Sequence, residues 1–383
     1  MPETQIDLRT AVIPPNKKIW RLFPGKTYRF LQEFKNNQVV FLDFPGLVLP
    51  NDFYFEDKLL TDAIVLAGLA RRDWVAAMVK ANRLGKELPV EPPRNPVSYF
   101  EQTLPKKALS DRAALIALFR SAQKNDLVVV PDRIPSRQIL VGEFLDEPEI
   151  RTVATAPDFY GSEPIPARPV RWFPVVNEVD LSRELSDVLR RPNPFTLLGR
   201  NFYPQIFDET YGTYRFGEAQ AARLLTSGPD FTGDDNLDLS LLIKAVTVLS
   251  YSAEHGRRRF ETLSEVLDVQ LTSDFAMSLG INVHSPGAFH LKSASALPLV
   301  FTALFALMVS AEGAEQPRPQ DIKVVNTSER ASDDPCAVEI DERVRTVVSL
   351  MGFDLWKSFC ERAKRLAQNP QMQGTGRARR SPR

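Results

Sequence analysis

Residues 125–144 read NDLVVVPDRIPSRQILVGEF. Two β-branched runs, 127–130 and 138–141, flank a seven-residue insert that holds Pro131, Asp132, Arg133, Pro135, Ser136 and Arg137. The runs predict antiparallel strands, and the insert an exposed basic loop at their tip. Upstream, KKIWRLFPGKTY (17–28) and NNQVVFLDFPGLVLP (36–50) each predict a strand that ends at a Pro-Gly turn. Proline presets φ there and glycine accepts positive φ. Residues 58–86 place apolar side chains at helical spacing, a proline-rich break covers 88–96, and residues 110–126 predict a helix with Ser110 as N-cap. Downstream, PARPVRWFPVV (166–176) predicts a proline-punctuated edge strand.

The expected architecture is α+β. Residues 1–176 predict a small β-barrel with helical inserts, and residues 177–215 a transition with a short helix capped by Asp180. Residues 216–370 predict a mainly helical domain, and residues 371–383 a basic disordered tail. At 383 residues the chain is long enough for two cores. Its 48 basic and 48 acidic residues cancel, so nucleic-acid binding would need a local basic patch. Two cysteines and no signal-like start imply a reducing cytoplasm. His255, His284 and His290 with Cys336 and Cys360 lack zinc-ligand spacing, so no metal site is assigned to them. Nineteen uncharged residues, 293–311, approach the length of a membrane span. Pro298, several serines and a dense apolar core of only 297–309 point instead to a buried helix, with a membrane or subunit contact as the alternative.

The order of pieces, IWRLFPG, VVFLDFPG, a helical insert, NDLVVVP, RQILVGEF and ARPVRWFP, resembles the EVE/PUA-like domains at the N-terminus of Mrr-type restriction endonucleases and related phage-defence proteins. The matching positions are 126–131, 139–144 and 168–172, and the family's glycine before the first of these strands is Asn125 here, which also tolerates left-handed angles. The resemblance implies a prokaryotic defence sensor in which an aromatic pocket accepts a flipped, often modified base of DNA or RNA, or a nucleotide ligand. Trp20, Phe44 and Trp172 would form the cage, Asp43 would accept hydrogen bonds from a base edge, and Arg133, Arg137 and Arg171 would hold phosphates. Beside this stands a plainer possibility: the tryptophans as barrel core and the arginines as a solvated loop. The partners implied are nucleic acid or a nucleotide, with self-association or separate defence proteins in support.

Mrr-type enzymes add a nuclease core whose acids and lysine hold a divalent ion. Residues 217–246 resemble its first two parts, with Glu218 on a helix and Asp234, Asp235 and Asp238 in an acidic turn. The third part, an acid-x-lysine strand, is missing after Asp238; Glu56/Lys58 and Asp321/Lys323 carry that spacing elsewhere. A divergent Mg²⁺-dependent endonuclease is therefore an alternative, and a non-enzymatic effector or assembly subunit a second.

Overall fold

The computed structural model describes residues 3–47, 49, 57–133, 137–149, 152–160, 163–228, 231–256, 258–271, 277–282, 287–311, 315–328 and 335–380. His284, Glu56 and residues 134–136 of the hairpin tip lie outside these. The chain is mixed α+β and forms two compact units, residues 16–206 and residues 1–15 with 207–383.

The opening stretch does form a hairpin in the 16–206 unit. Leu127–Pro131 pairs antiparallel with Gln138–Phe144, Val129 facing Val141, and every residue of the first strand is buried. Asn125 enters the hairpin at φ 68, the left-handed angle that its short polar side chain tolerates. The hairpin is central in an eight-stranded sheet. Its path runs Phe195–Leu197, Ile19–Leu22, Leu127–Pro131, Gln138–Phe144, Ile165–Trp172, Val39–Phe41, with Thr152–Ala154 and Val176–Asn177 attached alongside. The two Pro-Gly turns form as expected, with φ 77 at Gly25 and 69 at Gly46. The helix Lys58–Leu84 is closed by Asp57, whose side chain accepts from the Leu60 amide, and by left-handed Gly85.

Ile165–Trp172 is an interior strand, not the edge its prolines suggested. It changes partners along its length, from Thr152–Ala154 and Val39–Phe41 to Gln138–Phe144, and the Pro169 carbonyl still accepts from the Leu145 amide at 3.2 Å. Residues 177–206 are not a linker either. Phe195–Leu197 adds to the sheet with Leu197 opposite Trp20, and helix Arg183–Leu189 is capped by Ser182 rather than Asp180. Buried Arg21 fastens this segment by donating to the carbonyls of Val188 and Asn193, both at 3.2 Å.

The second unit is less helical than its composition predicts. Residues 219–226, expected in a helix, form the strand Ala219–Thr226 between Tyr214–Phe216 and Gly287–Ser293 in a six-stranded sheet. Gly217 at φ 59 lets the chain reverse before it, and burial on this sheet overrides the helix propensity of its Ala and Leu residues. Ser278–Asn282 and Ala11–Ile13 extend the same sheet. The helices Gly233–His255, Pro335–Leu350 and Phe353–Gln368 pack around Leu297–Ser310, whose side chains are buried from Leu297 to Phe305. This apolar run is a core helix, and no helix among the described residues is long and apolar enough to cross a membrane.

Residues 371–383 are not a disordered tail over their described part. Met372–Gln373 pairs with Ala219–Thr226, and Arg377–Arg380 pairs antiparallel with Thr4–Asp7, which runs parallel to Ile322–Val325 on its other side. The N-terminal segment therefore belongs to the second unit. Thr10 and Asn326, 316 residues apart, exchange two hydrogen bonds of 2.9 Å.

Candidate functional site

Much of the expected cage is structural. Trp20 is 5% exposed, donates its indole N–H to Asp126 at 2.9 Å and stacks on Phe195 with centroids 5.1 Å apart. Trp172 donates to the Phe34 carbonyl at 3.0 Å and lies over Gly142, where a Cβ would come within 2.7 Å of its ring. Arg171 reaches Glu143 at 2.9 Å. The other oxygen of Glu143 takes the buried Lys17 ammonium, also at 2.9 Å. Both indole donors are committed within the fold, and Arg171, though exposed, is paired with Glu143.

A different set of rings surrounds an open cavity. Its volume is about 340 Å³, near the lower end of the roughly 300–1,000 Å³ usual for small-molecule sites. Phe23, Phe30, Phe41 and Phe44 supply aromatic wall, with Pro192 and Pro194 from the segment that Arg21 fastens. Asp43, Asp111, Arg72 and Lys26 supply the charge. Of the expected site residues, Asp43 and Phe44 line this cavity and Trp20 and Trp172 do not. The missed residues carried a signal: Phe-Pro-Gly occurs twice, at 23–25 and 44–46, and both phenylalanines line the cavity. At each site the glycine's positive φ turns the chain directly after the ring.

The two carboxylates differ. Asp43 accepts from Arg29 and from the Tyr160 hydroxyl, and Arg29 also lies over the Phe30 ring at 4.6 Å. Burial pushes the Tyr160 hydroxyl well above its ordinary range, and neighbouring Asp43 pushes the same way. Asp111, in the first turn of helix Leu109–Ile116, has no hydrogen bond or ion pair among the described residues. Burial raises its carboxyl above the ordinary aspartate value; Arg72 opposes that rise and Asp43 adds to it. A partly desolvated, unpaired acid in an aromatic cavity is a functional candidate on physical grounds.

The loop at the mouth is strained. Thr27 and Tyr28 follow Gly25 at φ 60 and 59, a left-handed conformation costly for a β-branched residue. Thr27 borders the cavity and also a neighbouring surface cleft of about 680 Å³ lined by Arg29, Lys35, Asp132, Arg133 and Phe159. Lys35 sits 3.7 Å from Asp132. Its lining carries three cations and one acid, with Arg29 also paired to Asp43, so the cleft is modestly basic on a neutral chain. Arg133 belongs to it; Arg137 is exposed nearby in sequence, at φ 45, with its carbonyl bound to the Glu178 amide at 2.7 Å.

No family model, curated protein or solved structure matches the chain.

The acids of the nuclease pattern have other roles. Glu218 is exposed in the turn between two strands, not on a helix. Asp235 and Thr232 form a reciprocal capping box for helix Gly233–His255, and Asp234 is exposed in its first turn. Asp238 is gripped by Arg362 and by Arg365, the latter at 2.7 Å. Among the described residues no group of three or more His, Cys, Asp or Glu is disposed to hold a metal ion. The described residues do not fit a Mg²⁺ centre. Cys360 is a buried core thiol pushed up to about 12 by desolvation.

Proposed function

We propose that residues 16–206 form a sensor for a nucleobase, presented as a nucleotide or within DNA or RNA, and that the second unit transmits or executes the response. What supports this is the cavity: four phenyl rings and two carboxylates in one recess, beside a basic cleft suited to phosphate. Bases have apolar faces and polar edges, so stacking on Phe23 and Phe44 with edge contacts at the acids suits that chemistry. The resemblance to EVE/PUA-like domains agrees with it and extends it to prokaryotic defence, with a modified base as one form of the ligand.

The test is equilibrium binding of single-stranded and duplex oligonucleotides, plain and base-methylated, and of nucleosides. Phe23 is only partly buried, so Phe23→Ala removes one stacking wall while keeping the core. Loss of a base stack of roughly 1–3 kcal/mol weakens binding by roughly 5- to 150-fold. Unchanged binding by a folded Phe23→Ala protein rejects the cavity as the site.

A further inference from the structure

We propose that Asp111 is the residue that reads the ligand's edge, and that the edge it selects carries two adjacent N–H donors, as guanine does. The assignment rests on the base-binding function proposed above and narrows it to a ligand class. Asp111 and Ala114 lie three residues apart on one face of helix Leu109–Ile116, and both line the cavity. Of the two acids there, Asp43 already accepts from Arg29 and Tyr160. Asp111 keeps both carboxylate oxygens unmatched among the described residues.

An ionised carboxylate is an acceptor only. It is best satisfied by two parallel N–H groups, the arrangement that makes bidentate pairs strong and geometrically selective. Guanine offers N1–H beside its 2-amino group. Adenine and cytosine offer one amino group next to a ring acceptor, which a carboxylate repels, and uracil and thymine offer a single N–H between carbonyls. A helix-start acid with a purely structural role would affect folding stability and leave ligand preference alone.

The experiment compares guanosine, inosine, adenosine, cytidine and uridine on the full chain, wild type and Asp111→Asn, by calorimetry, with thermal melts to verify folding. Inosine is the sharpest probe because it lacks only the 2-amino group of guanosine. Wild type should bind guanosine roughly tenfold or more tighter than inosine, since an unmatched buried acceptor is costly. Asp111→Asn, whose amide presents one acceptor and one donor, should erase that difference. If guanosine and inosine bind wild type alike, or the folded Asn variant keeps the preference, the role of Asp111 is overturned. If nucleosides bind wild type, and Phe23→Ala weakens them, that failure leaves the base-binding function standing. If neither nucleosides nor oligonucleotides bind wild type, both fall together.

Discussion

Asp111 pays for its position in the cavity with stability. Its carboxyl titrates higher in the folded chain than in the unfolded one, so the folded state holds the proton more tightly across that window. Stability from this group is therefore greatest at low pH and falls as pH rises through the raised value. Asp111→Asn should leave the melting temperature at neutral pH unchanged or slightly higher, and flatten its pH dependence. Ligand preference should run the opposite way: guanosine selectivity, needing the carboxylate, grows as pH rises through the raised value and fades as pH drops below it. Lys26, Arg72 and Asp43 share the cavity, so the comparison is with the Asn variant over the same range. Glu143 behaves differently. It neutralises Lys17 where both side chains are 2% exposed, so Glu143→Gln removes the anionic half of a buried ion pair and should cost about 3–5 kcal/mol in urea unfolding. A shift below about 1 kcal/mol would mean that this pair adds little to stability.

Among the elements, the hairpin of residues 125–144 was legible because β-branched runs and a turn-rich insert are local signals. So were the Pro-Gly turns, each set by the angles of one dipeptide. The strand Ala219–Thr226 was not, since its Ala and Leu residues favour a helix until neighbouring strands cover both of its edges. The cavity was half legible. Phe44 and Asp43 sit on a recognisable strand end, whereas Asp111 and Arg72 arrive on helices whose docking no local pattern encodes. Trp20 and Trp172 misled because a large ring beside a strand suits a core as well as a cage, and only their indole hydrogen bonds decide. The loop carrying Thr27 offers an element-scale test. Thr27→Gly relieves a left-handed β-branched residue and should gain up to about 1 kcal/mol of stability. The same change loosens the lip shared by cavity and cleft and should weaken nucleotide binding. Full binding with the stability gain would separate the strain from the site.

At the scale of the whole molecule, the boundary at residue 176 was misplaced because strand pairing joins segments distant in sequence. The last described residues show what such pairing contributes. Met372 is buried, and Gly374 and Gly376 lie where a Cβ would come within 3.4 Å of Thr302 on the core helix. Deleting residues 371–383 should therefore cost about 2–5 kcal/mol, through one large apolar side chain and a lost strand. A truncated protein as stable as the full chain would show that these strands add nothing.

Thr4–Asp7 lies between Ile322–Val325 and Arg377–Arg380, so it must wait for strands made much later. Thr4 pairs with Arg380 across 376 residues, and with ribosomes adding roughly 5–20 residues per second that wait is roughly 20–75 s. The 16–206 unit has every strand of its own sheet in hand much earlier. On a ribosome the 16–206 unit can thus close its sheet while Thr4–Asp7 is still an open strand in search of its neighbours, and a chaperone that shields the nascent chain should raise the yield of the second unit more than that of the first.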